Sequence, residues 1–296
     1  MQSMTDTHVH LWELSRLTLS WLSPRSPLSR DFTIDEYQRQ AKALGIERAV
    51  YVEVDVPEAQ RSLEVDLVAE LCRRPDSPIQ GMVAAGDPAH PDFPRHVQGL
   101  SSAGHVRGVR RVLHTLATPP GHCLEPAFVK GVRTLGEHQL SFELCMRSTE
   151  LGDAARLASI CPETLFIVEH CGNADPLGVE RWLEAGGPQA GPADVVAWAE
   201  GMRRLAALPN TVCKLSGIAA SLPKTLPLTR LVPTLEFCID LFGSERAMFG
   251  SDWPVCTLRA ELAEWVEGAR ALLAHYSAEA QWALLDATAA RVYRLR

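Results

Sequence analysis

Eight cysteines stand at positions 72, 123, 145, 161, 171, 213, 238 and 256, and no two of them form a Cys-x-x-Cys pair. That lack speaks against a zinc ribbon, a redox dithiol and a disulfide-stapled secreted scaffold, so a reducing cytoplasm is the expected compartment. A run of about 18 uncharged apolar residues is also missing, and Asp6 interrupts the opening residues where a signal peptide would need an apolar stretch. Neither membrane spanning nor export is expected. Positive charge is not in excess: 29 Lys and Arg face 36 Asp and Glu, for a net charge of -7, and a nucleic-acid partner is therefore not expected. The chain shows no low-complexity tract, no repeat and no linker that would split it. With 46% hydrophobic and 22% charged residues it has ordinary globular composition, and a small molecule is the expected partner. Oligomeric state cannot be read from these numbers.

Short apolar, β-branched runs that end in polar residues or glycine alternate with longer stretches of helical spacing. Eight such runs lie near Thr5 to Leu11, Arg48 to Val54, Ile79 to Ala85, Val106 to Leu113, Leu140 to Met146, Leu165 to His170, Thr211 to Leu215 and Ala247 to Ser251. Strands alternating with helices imply parallel pairing, and eight of them imply closure. The expected fold is a single α/β domain over 1–296, a TIM-like (β/α)8 barrel. Helices are expected at Ile34 to Leu44, Glu58 to Arg73, Leu151 to Ser159, Val195 to Ala206, Leu231 to Phe242 and Arg259 to Tyr276. Thr33 with Glu36 makes a capping box for the first, and Gly45 stops it. Two long connections, near 12–30 and 217–233, would lie on the face where strands end and read as lids over a pocket. Gly186-Gly187-Pro188 reads as a loop.

Asp6, His8 and His10 occupy alternate positions of the first strand, which would send all three side chains to one side. Two imidazoles about 6 to 7 Å apart along a strand can hold a metal ion or grip a substrate. Taken alone, His-x-His also fits one core and one surface histidine, and an Asp before Trp-Pro fits a helix cap. His170 at the end of the sixth strand and Asp252 at the end of the eighth turn these separate features into a constellation at barrel strand tips, where catalytic groups sit. Arg110 and Lys214 are charges inside apolar strands, and burying an unpaired charge costs several kcal/mol. They are expected to face the lumen, or to pair there with Glu143 or Glu53. His114 shares the parity of Arg110 and would emerge at its strand tip. Trp253, beside Asp252, has a stronger claim on a ligand than Trp12 or Trp21, all three of which also fit plain packing.

Asp6-Thr7-His8-Val9-His10-Leu11-Trp12, Gly108-Val109-Arg110, Glu169-His170-Cys171-Gly172, Lys214-Leu215-Ser216-Gly217 and Phe249-Gly250-Ser251-Asp252-Trp253-Pro254 together resemble the amidohydrolase superfamily, in its lactonase-rich amidohydrolase 2 branch, across essentially the whole chain. The resemblance implies hydrolysis of a sugar-acid lactone, as of fuconate, rhamnonate or galactonate, or of a ring lactone from aromatic breakdown, as in the pyrone dicarboxylate lactonases. Two departures qualify it. Binuclear members carry a carboxylated lysine on strand four and a histidine on strand five, whereas this chain has Arg110 and Phe142-Glu143-Leu144, so two metals are not implied. Decarboxylases of the branch also resemble a pattern with a strand-five histidine, and its absence counts against that activity. After strand six the branch commonly has His-x-Gly-Lys-Pro, and here His170-Cys171-Gly172-Asn173-Ala174 offers no such lysine.

The expected chemistry is opening of a lactone, with Asp252 as general base and Arg110, Lys214, His8 and His10 stabilising the oxyanion. His170 would orient water or carbonyl. Substrate contacts are expected from His8, His10, His114, Glu143, Trp253 and Trp12. If one divalent ion binds, zinc first among the candidates, His8, His10, His170 and Asp252 would hold it, and metal-free catalysis by the same groups is the other option. Metal-dependent decarboxylation and non-catalytic binding of a small molecule are the alternative functions.

Overall fold

Strands apolar on both faces must be covered on both, and parallel pairing with helical crossovers achieves this. In this computed structural model, which describes residues 3–187 and 191–296, the strands are β1 (Met4–Val9), β2 (Ile46–Val52), β3 (Ile79–Ala85), β4 (Val106–Val112), β5 (Ser141–Cys145), β6 (Phe166–Val168), β7 (Thr211–Leu215) and β8 (Ala247–Phe249). They pair in chain order, all parallel. The ring between β8 and β1 is completed beyond the strand ends: Asp252 N–H donates to the His8 carbonyl (2.9 Å) and His10 N–H to the Trp253 carbonyl (2.7 Å). This is the (β/α)8 barrel that the spacing predicts.

Several strands stop short of the apolar runs that announced them. β6 ends at Val168 and β8 at Phe249, because the residues that follow leave the ladder to build the site. The expected helices appear with ends moved by a few residues. Thr33 caps Ile34–Ala43 by accepting from Glu36 N–H, and Gly45 takes φ +70° as the chain leaves that helix. Glu58–Gln60 is a 3-10 turn before Arg61–Arg73. Leu262–Leu273 is shorter than expected at both ends. The spacing does not announce the helices Phe93–Ser102, Pro126–Glu137 and Pro176–Glu184, and each has a proline in its first turn, where the missing N–H is harmless. Locally, such openings look like loop.

Side chains sort into two apolar regions. The larger lies between strands and helices. The smaller fills the barrel lumen, where Val50, Val52, Val83, Ile167, Val212 and Met248 meet Ala289, Val292 and Tyr293. The last three belong to the final helix, Thr288–Tyr293, which plugs the end opposite the site. Of the two long connections, 12–30 is anchored by a Trp12–Phe32 bridge. The other contains short turns at Ile218–Ser221 and Leu228–Leu231 and becomes helix at Val232. Gly186 and Gly187 lie in a turn after Pro176–Glu184, while Pro188 is outside the described residues. Among the described residues, no helix is long and apolar enough to cross a membrane.

Candidate active site

A bulge in β1 decides which of its side chains enter the lumen. Asp6 pairs with Ala49 and Val9 with Tyr51, so three steps on β1 match two on β2. Simple alternation would put Asp6 beside His8 and His10, and the structure corrects this. The Asp6 carboxylate turns toward the helices, accepting from Tyr37 O–H (2.9 Å), Ser251 N–H (2.7 Å) and His8 N–H (3.2 Å). It ties β1 to the β8 tip and to the first helix, and takes no place in the cluster.

His8 and His10 do face inward, with their rings turned toward one another and their Nε2 atoms 3.1 Å apart. His10 Nδ1 lies 2.8 Å from the Val52 carbonyl oxygen, which can only accept, so Nδ1 carries the hydrogen and Nε2 a lone pair. His8 Nδ1 lies 3.2 Å from Glu169 Oε1 and 3.5 Å from Lys214 Nζ, which can only donate. Asp252 Oδ1 stands 3.4 Å from His10 Nε2 and 3.7 Å from His8 Nε2. Imidazole nitrogens and a carboxylate oxygen gathered in this way are a donor set that a shared cation suits. Burial, followed by the charge of Lys214, holds the His8 pKa well below the usual imidazole value.

His170 comes from an unexpected conformation. In place of a strand end, residues 170, 171, 172 and 173 take φ of 54°, 52°, 69° and 52°, a left-handed turn in which only one member is glycine. Asp252 is also left-handed, with φ 58°. Backbone held in such sparsely populated regions gathers at functional sites. The turn brings the His170 ring to 4.6 Å from that of His8 and its Nδ1 to 3.0 Å from Ser216 Oγ. His8, His170 and Asp252 each offer a ligand atom within 4.8 Å of the others. Imidazole nitrogens plus one carboxylate are a donor set for a borderline divalent ion such as zinc, and with His10 these residues fit a single metal.

Beneath the imidazoles lies a buried ion network. Arg110 Nε donates to Glu53 Oε1 (2.5 Å), its NH1 to Glu169 Oε2 (3.1 Å) and its NH2 to the Glu53 carbonyl (2.6 Å). Lys214 Nζ lies 2.8 Å from Glu143 Oε2 and 3.5 Å from Glu169 Oε1. Both pairings foreseen for the two strand cations, with Glu53 and with Glu143, are therefore present. Burial raises the Glu169 pKa, yet Arg110 and Lys214 outweigh it and hold the carboxyl well below its ordinary range. For Glu143, burial wins over Lys214 and the pKa is raised. Arg110 is 6% exposed, whereas Lys214 and Glu143 are at 0%, so only the arginine reaches the pocket side of the network.

His114 emerges at the β4 tip, exposed, with its pKa lowered by desolvation and by Arg110 and His170 nearby. Trp12 and Trp253, read as ligand contacts, lie in the wall. Trp253 is fully buried with Phe32 and Tyr37 rings against it, and Trp12 packs on Trp21 and Phe32. Trp21 is the exposed one, 45% accessible, with its indole N–H on the Val54 carbonyl at the β2 tip. Glu169 is a site residue that the sequence reading leaves without a role, although a carboxylate ending the apolar run Phe166-Ile167-Val168 carries the same signal that singles out Arg110 and Lys214.

The family model described as Amidohydrolase matches residues 5–295 of this chain. An L-fucono-1,5-lactonase of Burkholderia multivorans is 26% identical over 299 residues, covering 98% of this chain and 95% of that protein. An L-rhamnono-gamma-lactonase of Scheffersomyces stipitis is 24% identical over 305 residues, covering 86% of each chain. Among solved structures, a Burkholderia multivorans amidohydrolase with bound zinc superposes with a TM-score of 0.84 at 24% identity, covering 100% of both chains.

Proposed function

The chain belongs to the amidohydrolase family, and from that premise we propose that it hydrolyses a lactone, opening the ring of a sugar-acid or aromatic-pathway substrate. The observation that carries this reading is the convergence of His8, His10 and Asp252, with two imidazole Nε2 atoms 3.1 Å apart and a carboxylate oxygen within 3.7 Å of both. The lactonase names of the relatives supply the bond to be broken.

Ester hydrolysis needs a deprotonated water, a stabilised oxyanion and a proton for the departing alkoxide. Asp252 Oδ1 faces the imidazoles, and the carboxylate takes the proton of the attacking water and later returns it to the leaving oxygen. Arg110 commits three of its five N–H groups to Glu53 and Glu169, and the remaining donors stabilise the oxyanion. His170, steadied by Ser216, orients the water or the carbonyl, and His114 contacts the substrate at the mouth. Lys214, fully enclosed, acts by holding Glu143 and Glu169 and touches no substrate. When bound to His8, His10, His170 and Asp252, a divalent ion, zinc first among candidates, would supply Lewis acidity toward the carbonyl or water. The connections near 12–30 and 217–233 act as lids and set which ring enters. The whole of 1–296 works as one domain.

A proton-release screen of aldonolactones and aromatic-pathway lactones, with and without chelator, tests the reading. Turnover of at least one lactone is expected, and Asp252→Asn should lower its kcat by about 10²- to 10⁴-fold. Unchanged turnover in that variant would remove Asp252 as the base. Chelator-sensitive CO₂ release from an aromatic acid, with no lactone turned over, would replace the hydrolase with a decarboxylase.

A further inference from the structure

Val50 and Val52 fill the barrel lumen, and strand alternation sends Tyr51 between them to the opposite face of the wall. On that outer side the connection 12–30 and the helices Ile34–Ala43 and Arg61–Arg73 border a cavity of about 500 Å³, a size typical of small-molecule sites. Leu11, Trp12, Phe32, Leu67 and Leu71 line it, and Glu64, 1% exposed, stands at its buried end. Glu64 Oε1 accepts from Tyr51 O–H and Val54 N–H, each at 2.8 Å, whereas Oε2 is buried and has no hydrogen-bond partner. A buried polar atom without a partner is costly and rare in folded proteins, so on a residue that lines a cavity it marks a place for a ligand group. Charge sets the sign of that group. Of the cations lining the cavity, Arg16 is paired with Glu13 (3.5 Å) and Arg74 with Asp35 (3.3 Å), while the exposed Glu70 has no ion pair among the described residues. The charged and titratable groups that act on Glu64 from the barrel side are Glu53, Tyr51 and Arg110, and the arginine is already committed to Glu53 and Glu169.

We propose that this cavity is a binding site for a primary amine with a compact apolar body, its ammonium on Glu64 Oε2 and its body against Trp12, Phe32, Leu67 and Leu71. The ammonium supplies the donor that Oε2 lacks, in a charge-assisted bond. An alcohol of the same shape would fill the apolar space and forgo the charge. Burial first, and then the Glu53 charge, raise the Glu64 pKa to about 8, so without ligand the carboxyl is protonated at pH 7. An ammonium beside it favours the carboxylate, and binding at that pH passes the Glu64 proton to solvent while the amine keeps its own. The site is separate from the histidine cluster, and nothing in it depends on which bond the enzyme breaks.

Titration calorimetry of the full chain with benzylamine and with benzyl alcohol at pH 7, repeated in buffers of different ionisation enthalpy, tests this. Benzylamine is expected to bind about tenfold more tightly than the alcohol, with release of about one proton per molecule bound. Glu64→Gln keeps an acceptor for Tyr51 and Val54 and removes the charge, so both the preference for the amine and the proton release should disappear. Leu67→Trp fills the cavity and should abolish binding of either compound, which keeps the test intact if the glutamine variant does not fold. Equal affinities for amine and alcohol overturn the proposal, as do amine binding without proton release, unchanged amine binding in Glu64→Gln or Leu67→Trp, and no binding of benzylamine up to millimolar concentration. The calorimetry reads no lactone turnover, so its failure and the failure of the hydrolase reading are distinguishable.

Discussion

A methyl group at Gly217 would lie 2.2 Å from His170 Nδ1, and its φ of +72° is one that side chains other than glycine rarely adopt. The position lies two residues beyond β7, and Ser216 beside it steadies His170. Gly217→Ala must therefore displace the imidazole, the backbone or both. A misplacement near 1 Å at a reacting group costs about 10²-fold in rate, so kcat should drop by that order while circular dichroism shows the barrel intact. Wild-type kinetics in this variant would mean that His170 takes no part. Gly250 is constrained in a similar way, since a Cβ there would meet His8 Cβ at 2.9 Å. Glycine in these motifs is needed because imidazoles from other strands occupy the space a side chain would take.

Helix Arg61–Arg73 covers the barrel and also reaches a strand tip. Glu64, 1% exposed, accepts from Tyr51 O–H and Val54 N–H, each at 2.8 Å, through one oxygen. Burial first and then the nearby Glu53 charge push its pKa up to about 8 from 4.5. The folded state thus holds a proton that the unfolded chain releases above about pH 4.5, so the contribution to stability is full below that pH and is lost as pH rises through 8. Urea midpoints should fall between pH 5 and pH 8 in the wild type. Glu64→Gln keeps an acceptor for both donors and removes the ionisation, so its midpoint should change less over that window. Equal slopes for the two proteins would show that another group controls it. The β1 bulge belongs to this scale too: one extra residue turns Asp6 outward and keeps His8 and His10 inward.

At the scale of the whole molecule, the site closes the ring. β8 and β1 meet through the backbone of His8, His10, Asp252 and Trp253, the same segments that supply the candidate ligands. An ion bound there should stabilise the barrel as a unit, by about 2.7 kcal/mol at a hundred times its Kd. For a protein of this length that corresponds to roughly 5 °C in Tm. Calorimetry should show zinc raising Tm, chelator reversing the rise, and His10→Ala losing most of it. A Tm indifferent to zinc would remove the metal from the account.

The strand rhythm, the alternation with helices and the parallel closure follow from hydrophobic periodicity, which each segment expresses through its own neighbours in sequence. His8, His10, His170 and Asp252 could be picked out as strand-tip residues for the same reason, and Arg110 and Lys214 because a charge in an apolar strand demands a partner. The tertiary structure decided what periodicity cannot carry. Pairing register produced the bulge that separates Asp6 from His8. Closure placed Glu169 against His8 Nδ1 and brought Asp252 across from the other end of the chain. The left-handed turn at His170 and the Tyr293 plug under Glu143 depend on contacts between residues tens to hundreds of positions apart. Such contacts exist only once the ring has closed, since burial and distance in three dimensions, not spacing along the chain, determine which donor finds which acceptor.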